Sequence, residues 1–445
     1  MTSVNAPVRI VIVGGGYVGM YTALRLQRKL SRGAADITVI EPQSNMTYQP
    51  FLPEAAAGSV EPRHVVVPLR KVLKGCNVIT AAASGIEHAR KAVTVQPAEG
   101  ESYEVSYDLL VVCPGSISRA LPIPGLADQG IGFKTIGEAI YLRNHVLSCL
   151  DLAGSTNDPD QRRKALTFVF VGGGYAGVEA MAELEDMARY ATRYLPTIKP
   201  EEMRWVLIEA ASRIMPEVSV RLSAYTVDRL VERNIDVRLS TRLSSAVGGH
   251  IELSDGDEFD AETLVWTAGV KANPLLRQTD LPLDDSGRLP CHANLTVKGV
   301  TGVFSAGDCA AVPDLSKSDP NALTSPSAQH AVRQAKTLAN NIIATVRGAA
   351  LRDYRHAYAG SVASLGLYRG VAEIYGIRLR GFVAWWMHRT YHVSRMPTFN
   401  RKVRVVADWT GALIFRREVV SLGQLQEPRS EFELAAGRRR LPEVS

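Results

Sequence analysis

Two glycine-rich runs carry the most specific chemistry in the chain: Gly14-Gly-Gly16-Tyr-Val-Gly19 and Gly172-Gly-Gly174-Tyr-Ala-Gly177, both spaced GxGxxG. Each follows a β-branched run, Arg9 to Val13 or Leu166 to Val171, and precedes an apolar pattern at helical spacing. Each is followed by a second β-branched run that ends on an acid, Glu41 after Ile37 to Ile40 and Glu209 after Trp205 to Ile208. In such a strand–turn–helix–strand unit the first glycine allows a tight turn. The second lets backbone approach a pyrophosphate, the third lets helix and strand pack closely, and the acid accepts from a ribose. The helix N-terminus adds free N–H groups and a positive dipole for the phosphates. A single such turn can arise for steric reasons alone. A second copy, again closed by a glutamate, argues for two nucleotide sites whose cofactors must meet.

A third segment, Thr296 to Asp308, is a strand that runs into Gly307-Asp308. Two more, Asp108-Leu-Leu-Val-Val-Cys-Pro-Gly115 and Glu262-Thr-Leu-Val-Trp-Thr-Ala-Gly269, are hydrophobic runs ending in small-residue turns. Together these resemble glutathione-reductase-like flavoproteins over roughly residues 9–345, although Cys-Pro-Gly replaces the usual Ala-Thr-Gly at Gly115. The resemblance implies an α/β fold of two Rossmann-like dinucleotide-binding domains, plus a C-terminal membrane-surface region. The expected division is 1–125 and 276–347 for the FAD-binding domain, 126–275 for the NADH-binding domain and 348–445 for the C-terminal region. It assigns FAD to Gly14, Gly16, Gly19, Glu41, Gly115, Gly307 and Asp308, with Asp308 holding the ribityl chain. It assigns NADH to Gly172, Gly174, Gly177, Glu209 and Gly269. A carboxylate at Glu209 accepts from a 2′-hydroxyl and repels a 2′-phosphate, which favours NADH over NADPH, with Arg213 nearby as the opposing feature.

Where the electrons go next is read from what is missing and what matches. The five cysteines, Cys76, Cys113, Cys149, Cys291 and Cys309, form no CxxC or CxxxxC pair, so a dithiol relay, a disulfide framework and a zinc site are all set aside; no metal is expected. Gln49 to Pro53 with Pro68 to Arg70, Gly177-Val-Glu179, Val265 to Val270 and Ala328-Gln-His-Ala-Val-Arg-Gln334 resemble the type II NADH dehydrogenases, membrane-surface NADH:quinone oxidoreductases. The last segment is similar to that family's quinone motif AQxAxQ. Ala328, Gln329 and Ala331 match, but Arg333 stands in place of the second glutamine and Gln334 comes one position late. The resemblance implies that Gln329, Arg333 and Gln334 face a menaquinone or ubiquinone and that Glu179 is catalytic. Quinone reduction consumes protons, and a carboxylate there could relay them; the alternative is that Glu179 only favours the helix dipole.

At 445 residues, with 22% charged and 46% hydrophobic residues, the chain is long enough for two or three packed domains. The net charge of +6 is uneven: from Arg347 onward there are 17 Lys/Arg against 8 Asp/Glu. Three of the five tryptophans, Trp385, Trp386 and Trp409, lie in this basic tail. Gly381-Phe-Val-Ala-Trp-Trp-Met-His388 is too short to span a bilayer, and with Arg378, Arg380, Arg389, Arg395, Arg401, Lys402 and Arg404 around it the segment resembles an interfacial anchor for the inner membrane surface. A homodimer interface is the competing use of the same aromatics. No secretory signal or nucleic-acid module is recognised, so the expected location is the cytoplasmic face of the cell membrane, with no nucleic-acid partner. The polar stretch Gly154 to Gln161 is expected to be an exposed loop. Two other readings remain at this stage. One is a sulfide:quinone-type flavoprotein using Cys113 and Cys309, and the other is a nucleotide-binding flavoprotein with a regulatory role or a non-quinone acceptor.

Overall fold

The structure is a computed structural model and describes residues 6–31, 33–356, 360–421 and 433. The chain threads through two units, the first formed by Met1–Tyr48, Val66–Arg119 and Gly269–Ala359, and the second by Gln49–Val65, Ala120–Ala268 and Gly360–Ser445.

The first unit is organised by a parallel sheet in the order Val303–Ser305, Leu109–Val112, Val8–Val13, Ala35–Ile40, Asn77–Ile79. Its central strands are continuous apolar runs because both faces are covered, which is the condition under which parallel strands survive. Ile10, Ile12, Val111 and Val112 are fully or almost fully buried. The helix Tyr17–Lys29 packs against Ala328–Val346, and Arg25 Nε donates to Asn340 Oδ1 at 2.8 Å across that seam. An antiparallel sheet of Ala82–Glu87, Ala92–Gln96 and Tyr103–Ser106 completes this half.

The second unit repeats the plan. Its parallel sheet runs Gly130–Gly132, Thr263–Trp266, Thr167–Val171, Arg204–Glu209, Ile235–Leu239, and its antiparallel sheet is Leu243–Ser245, His250–Leu253 and Glu258–Asp260. The helix Tyr175–Ala191 is buried along most of its length, which its run of alanines and methionines allows. The C-terminal residues belong to this unit. Gly360–Ser364, Gly370–Ile374 and Ile377–Arg380 form an antiparallel sheet whose Ala363 and Val371, with Leu365 just beyond the first strand, join the same apolar core as Val178, Met181 and Leu184. Two helices, Gly381–Arg395 and Phe399–Phe415, follow.

One expectation holds only in part. The stretch Gly154 to Gln161 is largely exposed, but only residues 156–158 are a loop, a tight link between two helices, Ile136–Ser155 and Pro159–Ala165. Asp158 caps the second by accepting from the N–H groups of Asp160 and Gln161, with Pro159 at the first helical position. Asp and Pro there are helix-start signals rather than loop signals.

Candidate active site

Both glycine runs fold as the same turn. Gly14 has φ +108° and Gly172 φ +115°, and each donates its N–H to a carbonyl near the end of the neighbouring strand, Ile40 O or Ile208 O, at 2.9 Å. A Cβ on Gly19 would overlap the Gly14 carbonyl oxygen, and one on Gly177 would overlap that of Gly172, so the helix meets its turn only without a side chain. Gly16 and Gly174 are different: a Cβ at either meets nothing within 4 Å. That open space lies at the N-terminus of Tyr17–Lys29 in one unit and of Tyr175–Ala191 in the other, where free backbone N–H groups and the helix dipole favour an anion.

The two glutamates are held alike. Glu41 Oε2 accepts from Gly15 N at 2.6 Å and its Oε1 from Gln43 N at 3.1 Å, while Glu209 Oε2 accepts from Gly173 N at 2.6 Å and its Oε1 from Ala211 N at 2.7 Å. Each carboxylate is thereby locked against its own glycine turn with lone pairs left for a ribose. Burial pushes Glu41 above the ordinary carboxylate range despite the two backbone N–H groups that favour its anion. Arg213 does not reach outward to a phosphate. Its guanidinium donates to Val218 O at 3.0 Å and Pro216 O at 2.7 Å.

In the first unit the strand Val303–Ser305 leads to Gly307, at φ +79°, and to Asp308, whose Oδ2 accepts from Ser116 Oγ at 2.6 Å. The two small-residue turns, Gly115 and Gly269, both have positive φ, and the strands after them, Ser116–Ser118 and Val270–Ala272, pair antiparallel. Gln334 is fully buried: its Oε1 accepts from Gly307 N at 2.7 Å and its Nε2 donates to Thr324 Oγ1 at 3.1 Å. It braces the Gly307-Asp308 turn from inside the fold. Gln329 and Arg333 lie one turn apart on the same helix, with Arg333 Nη1 3.4 Å from Gln329 O. His330 Nδ1, next to them, pairs with Tyr354 Oη at 2.9 Å.

In the second unit Glu179 is 7% exposed. Its Oε1 accepts from Ser364 N at 2.8 Å and lies 3.1 Å from Nε2 of the buried His388. Beside this pair is a group of buried charges that the sequence did not reveal. Trp409 Nε1 donates to Glu54 Oε2 at 2.6 Å, Arg389 Nε is 3.4 Å from Glu54 Oε1, and Arg417 Nη2 donates to Glu183 Oε2 at 2.8 Å. Arg233 forms an ion pair with Glu185 and another, at 3.0 Å, with Asp186. Arg389 therefore does not face lipid as expected; it lies between the Trp385 and Trp409 rings, 4.1 and 4.7 Å from their centroids. Trp385 is buried as well, whereas Trp386 is 57% exposed.

The thiols invoked by the sulfide reading are poorly placed for chemistry. Cys113 and Cys309 are buried, and burial pushes both up, Cys309 to about 11 and Cys113 well beyond its usual range. A thiol held protonated in an apolar setting is a weak nucleophile.

Two parallel-sheet units, each with a glycine turn closed by a glutamate, define a two-nucleotide α/β scaffold. A sequence profile of the pyridine nucleotide-disulphide oxidoreductases matches residues 8–335. The type II NADH:quinone oxidoreductase Ndh of Mycobacterium tuberculosis is 29% identical over 426 residues, covering 92% of this chain and 89% of its own. The structure of NDH2 from Plasmodium falciparum in complex with NADH superposes with a TM-score of 0.85 at 17% identity, over 93% of this chain and 99% of that one. The sulfide:quinone oxidoreductase of Aquifex aeolicus shares the fold less closely, with a TM-score of 0.71 at 16% identity over 92% and 96% of the two chains. The chain belongs to the pyridine nucleotide-disulphide oxidoreductase family.

Proposed function

We propose that the chain is a FAD-dependent NADH:quinone oxidoreductase that works at a membrane surface without pumping protons. The observation that carries this reading is the pair of matching cradles, at Gly16 and Gly174, each with an open volume at a helix N-terminus and a glutamate fixed beside it. Gly14, Gly16, Gly19 and Glu41 hold the adenosine diphosphate part of FAD, and Asp308, oriented by Ser116, holds its ribityl chain, with Gly115 and Gly307 giving the close approach. Gly172, Gly174, Gly177 and Glu209 hold NADH, with Gly269 at the turn beside it. Glu209 discriminates against a 2′-phosphate, and the Arg213 guanidinium donates to loop carbonyls rather than being held for a phosphate. A bound flavin supplies the two-electron acceptor that links a hydride donor to a quinone. Gln329 and Arg333 donate to the quinone carbonyls, while Gln334 serves the site only by bracing Gly307.

Among the described residues no helix is long and apolar enough to cross a membrane. The two C-terminal helices expose Phe382 and Trp386 at 57% each, Phe399 at 80% and Phe415 at 83%. Arginines at Arg378 and Arg380 precede them, which favours an anionic lipid surface at the cytoplasmic face over a second copy of the chain. Stopped-flow mixing tests the reading. NADH is expected to bleach the bound flavin much faster than NADPH, and a short-chain menaquinone or ubiquinone is expected to restore it. Bleaching without recovery by either quinone would leave an NADH-oxidising flavoprotein with a different acceptor.

A further inference from the structure

After the helix Ala328–Val346 the chain turns back along it. Asn341 Nδ2 donates to Asn294 O at 2.7 Å and to Arg352 O at 2.8 Å, its Oδ1 accepts from Arg352 N at 2.9 Å, and Tyr354 N donates to Ala293 O at 2.8 Å. These bonds carry two rings to the first turn of the helix. Tyr354 Oη pairs with His330 Nδ1, and the His356 ring stands edge-on to that of His330 with centroids 5.7 Å apart. Arg333, three residues after His330 and so on the same side of the helix, is half-buried. Among the described residues its only hydrogen bond is the long one to Gln329 O, and no carboxylate pairs with it. Asp314, the carboxylate that acts on both imidazoles, is held by its own loop: it accepts from Ser316 N at 3.1 Å and Ser316 Oγ at 2.6 Å, with Lys317 Nζ at 4.0 Å.

The two imidazoles register the field of this unpaired cation. Burial and then Arg333 push His356 down to about 4. Burial lowers His330 as well, with Asp314 opposing the fall and Arg333 adding to it. Both rings are neutral near pH 7, which leaves Arg333 as the fixed charge of the group. His356 Nε2 is a buried atom with no hydrogen-bond partner among the described residues. A neutral quinone carbonyl needs one donor, which the amide of a glutamine at this position would supply. A guanidinium adds a permanent charge and a planar fork that fits two oxygens side by side. Half-buried and without a counter-ion, that charge favours an anionic partner.

We propose that Arg333 and His356 adapt the quinone site to quinones that carry an ionised hydroxyl next to a ring carbonyl, of which the 2-hydroxy-1,4-naphthoquinone anion is the simplest. This inference deepens the quinone reading above and rests on it. The oxyanion and the neighbouring carbonyl present two oxygens on adjacent ring carbons, and the Arg333 fork meets both. His356 donates beside it from Nε2, in the tautomer that carries its hydrogen there. The reaction leaves the ionised oxygen as it was. Two electrons and one hydrogen come from NADH by way of the flavin, one proton comes from solvent, the two ring carbonyls become hydroxyls, and no bond to the ring breaks.

The test measures binding to the oxidised holoenzyme without NADH, through the flavin fluorescence, at neutral pH where the hydroxyl is ionised. The two probes are 2-hydroxy-1,4-naphthoquinone and its 2-methyl counterpart, and the readout is the ratio of their Kd values. The wild type is expected to hold the hydroxy compound tighter by about tenfold or more, the worth of a charge-assisted hydrogen bond. R333Q is expected to abolish that preference. R333K, which keeps the charge but not the fork, is expected to retain part of it. H356F keeps a ring against His330 and is expected to lower the preference by about threefold, as for one lost neutral hydrogen bond. Visible spectrum and melting temperature confirm that each variant is folded and flavin-loaded. Equal affinity of the wild type for the two probes, or a preference left unchanged in R333Q, would overturn the proposal. Anaerobic mixing of NADH-reduced wild type with the same probes separates the two readings, since reduced flavin that neither compound reoxidises would instead overturn the quinone reading.

Discussion

Replacing Gly174 by alanine separates nucleotide binding from folding, because the structure gives this residue room but no strain. Its φ of −73° is one alanine adopts freely, and a Cβ there meets nothing within 4 Å. The substitution at this N-cap should therefore change stability by only about 1 kcal/mol. The methyl, however, projects about 1.5 Å into the volume assigned to the NADH diphosphate. Displacing that group by such a distance breaks its hydrogen bonds to the first N–H groups of Tyr175–Ala191. Two charge-assisted bonds at roughly 1.5 kcal/mol each come to about 3 kcal/mol, or about a hundredfold in affinity. The assay has three readings on one preparation: melting temperature, flavin content, and the NADH concentration dependence of flavin bleaching. G174A is expected to melt like the wild type, carry full flavin and need about a hundredfold more NADH. G177A, whose Cβ would strike the Gly172 carbonyl, is expected instead to destabilise the unit itself. An unchanged NADH requirement in G174A, or loss of flavin with NADH binding intact, would refute the assignment of this turn.

Other expectations follow from single contacts. E209Q should lower the ratio of kcat/KM for NADH to that for NADPH by about tenfold, equivalent to ~1.4 kcal/mol, because the charge that repels a 2′-phosphate is gone; steady-state kinetics with both cofactors reads it. Replacing Phe382 and Trp386 together by serine removes two exposed apolar side chains, each worth about 1.5 kcal/mol or more when buried. Sedimentation with anionic vesicles should show binding weakened by at least about tenfold, with NADH bleaching in solution unchanged. Stability should also depend on His388. Its folded-state affinity for a proton is raised above the unfolded value near 6.5, so its contribution is fully present below about pH 6.5 and is lost as pH rises through the folded value. His392 has the opposite sign, contributing above the unfolded value and losing its contribution as pH falls. Denaturant midpoints in the H388Q variant should therefore lose the decline on the alkaline side.

The nucleotide framework was legible because it depends on local rules. A positive-φ turn needs glycine at Gly14 and Gly172, close helix packing needs it at Gly19 and Gly177, and period-one apolar strands mark a sheet covered on both faces. Glu41 and Glu209 could be found by position alone, although their locking hydrogen bonds to Gly15 and Gly173 could not. What escaped the sequence was long-range pairing. Glu54 meets Trp409 and Arg389 across more than 300 residues of chain, and no local pattern announces such a partner. Arg389 sits among six other basic residues and reads as one more surface cation, yet two tryptophan rings and a buried carboxylate draw it inward. Gln334 looked like a displaced copy of the quinone-motif glutamine. The register of its helix turns it towards Gly307 instead, a difference of one residue that amounts to about 100° around the axis.

The central claim is that the two turns hold two different nucleotides in one electron path. Anaerobic titration of the purified protein with NADH, followed by a quinone, tests it most directly through the flavin spectrum. A yellow protein is expected, bleached by one equivalent of NADH per flavin and recoloured by one equivalent of quinone. A preparation that is colourless and stays so after incubation with FAD would contradict the account.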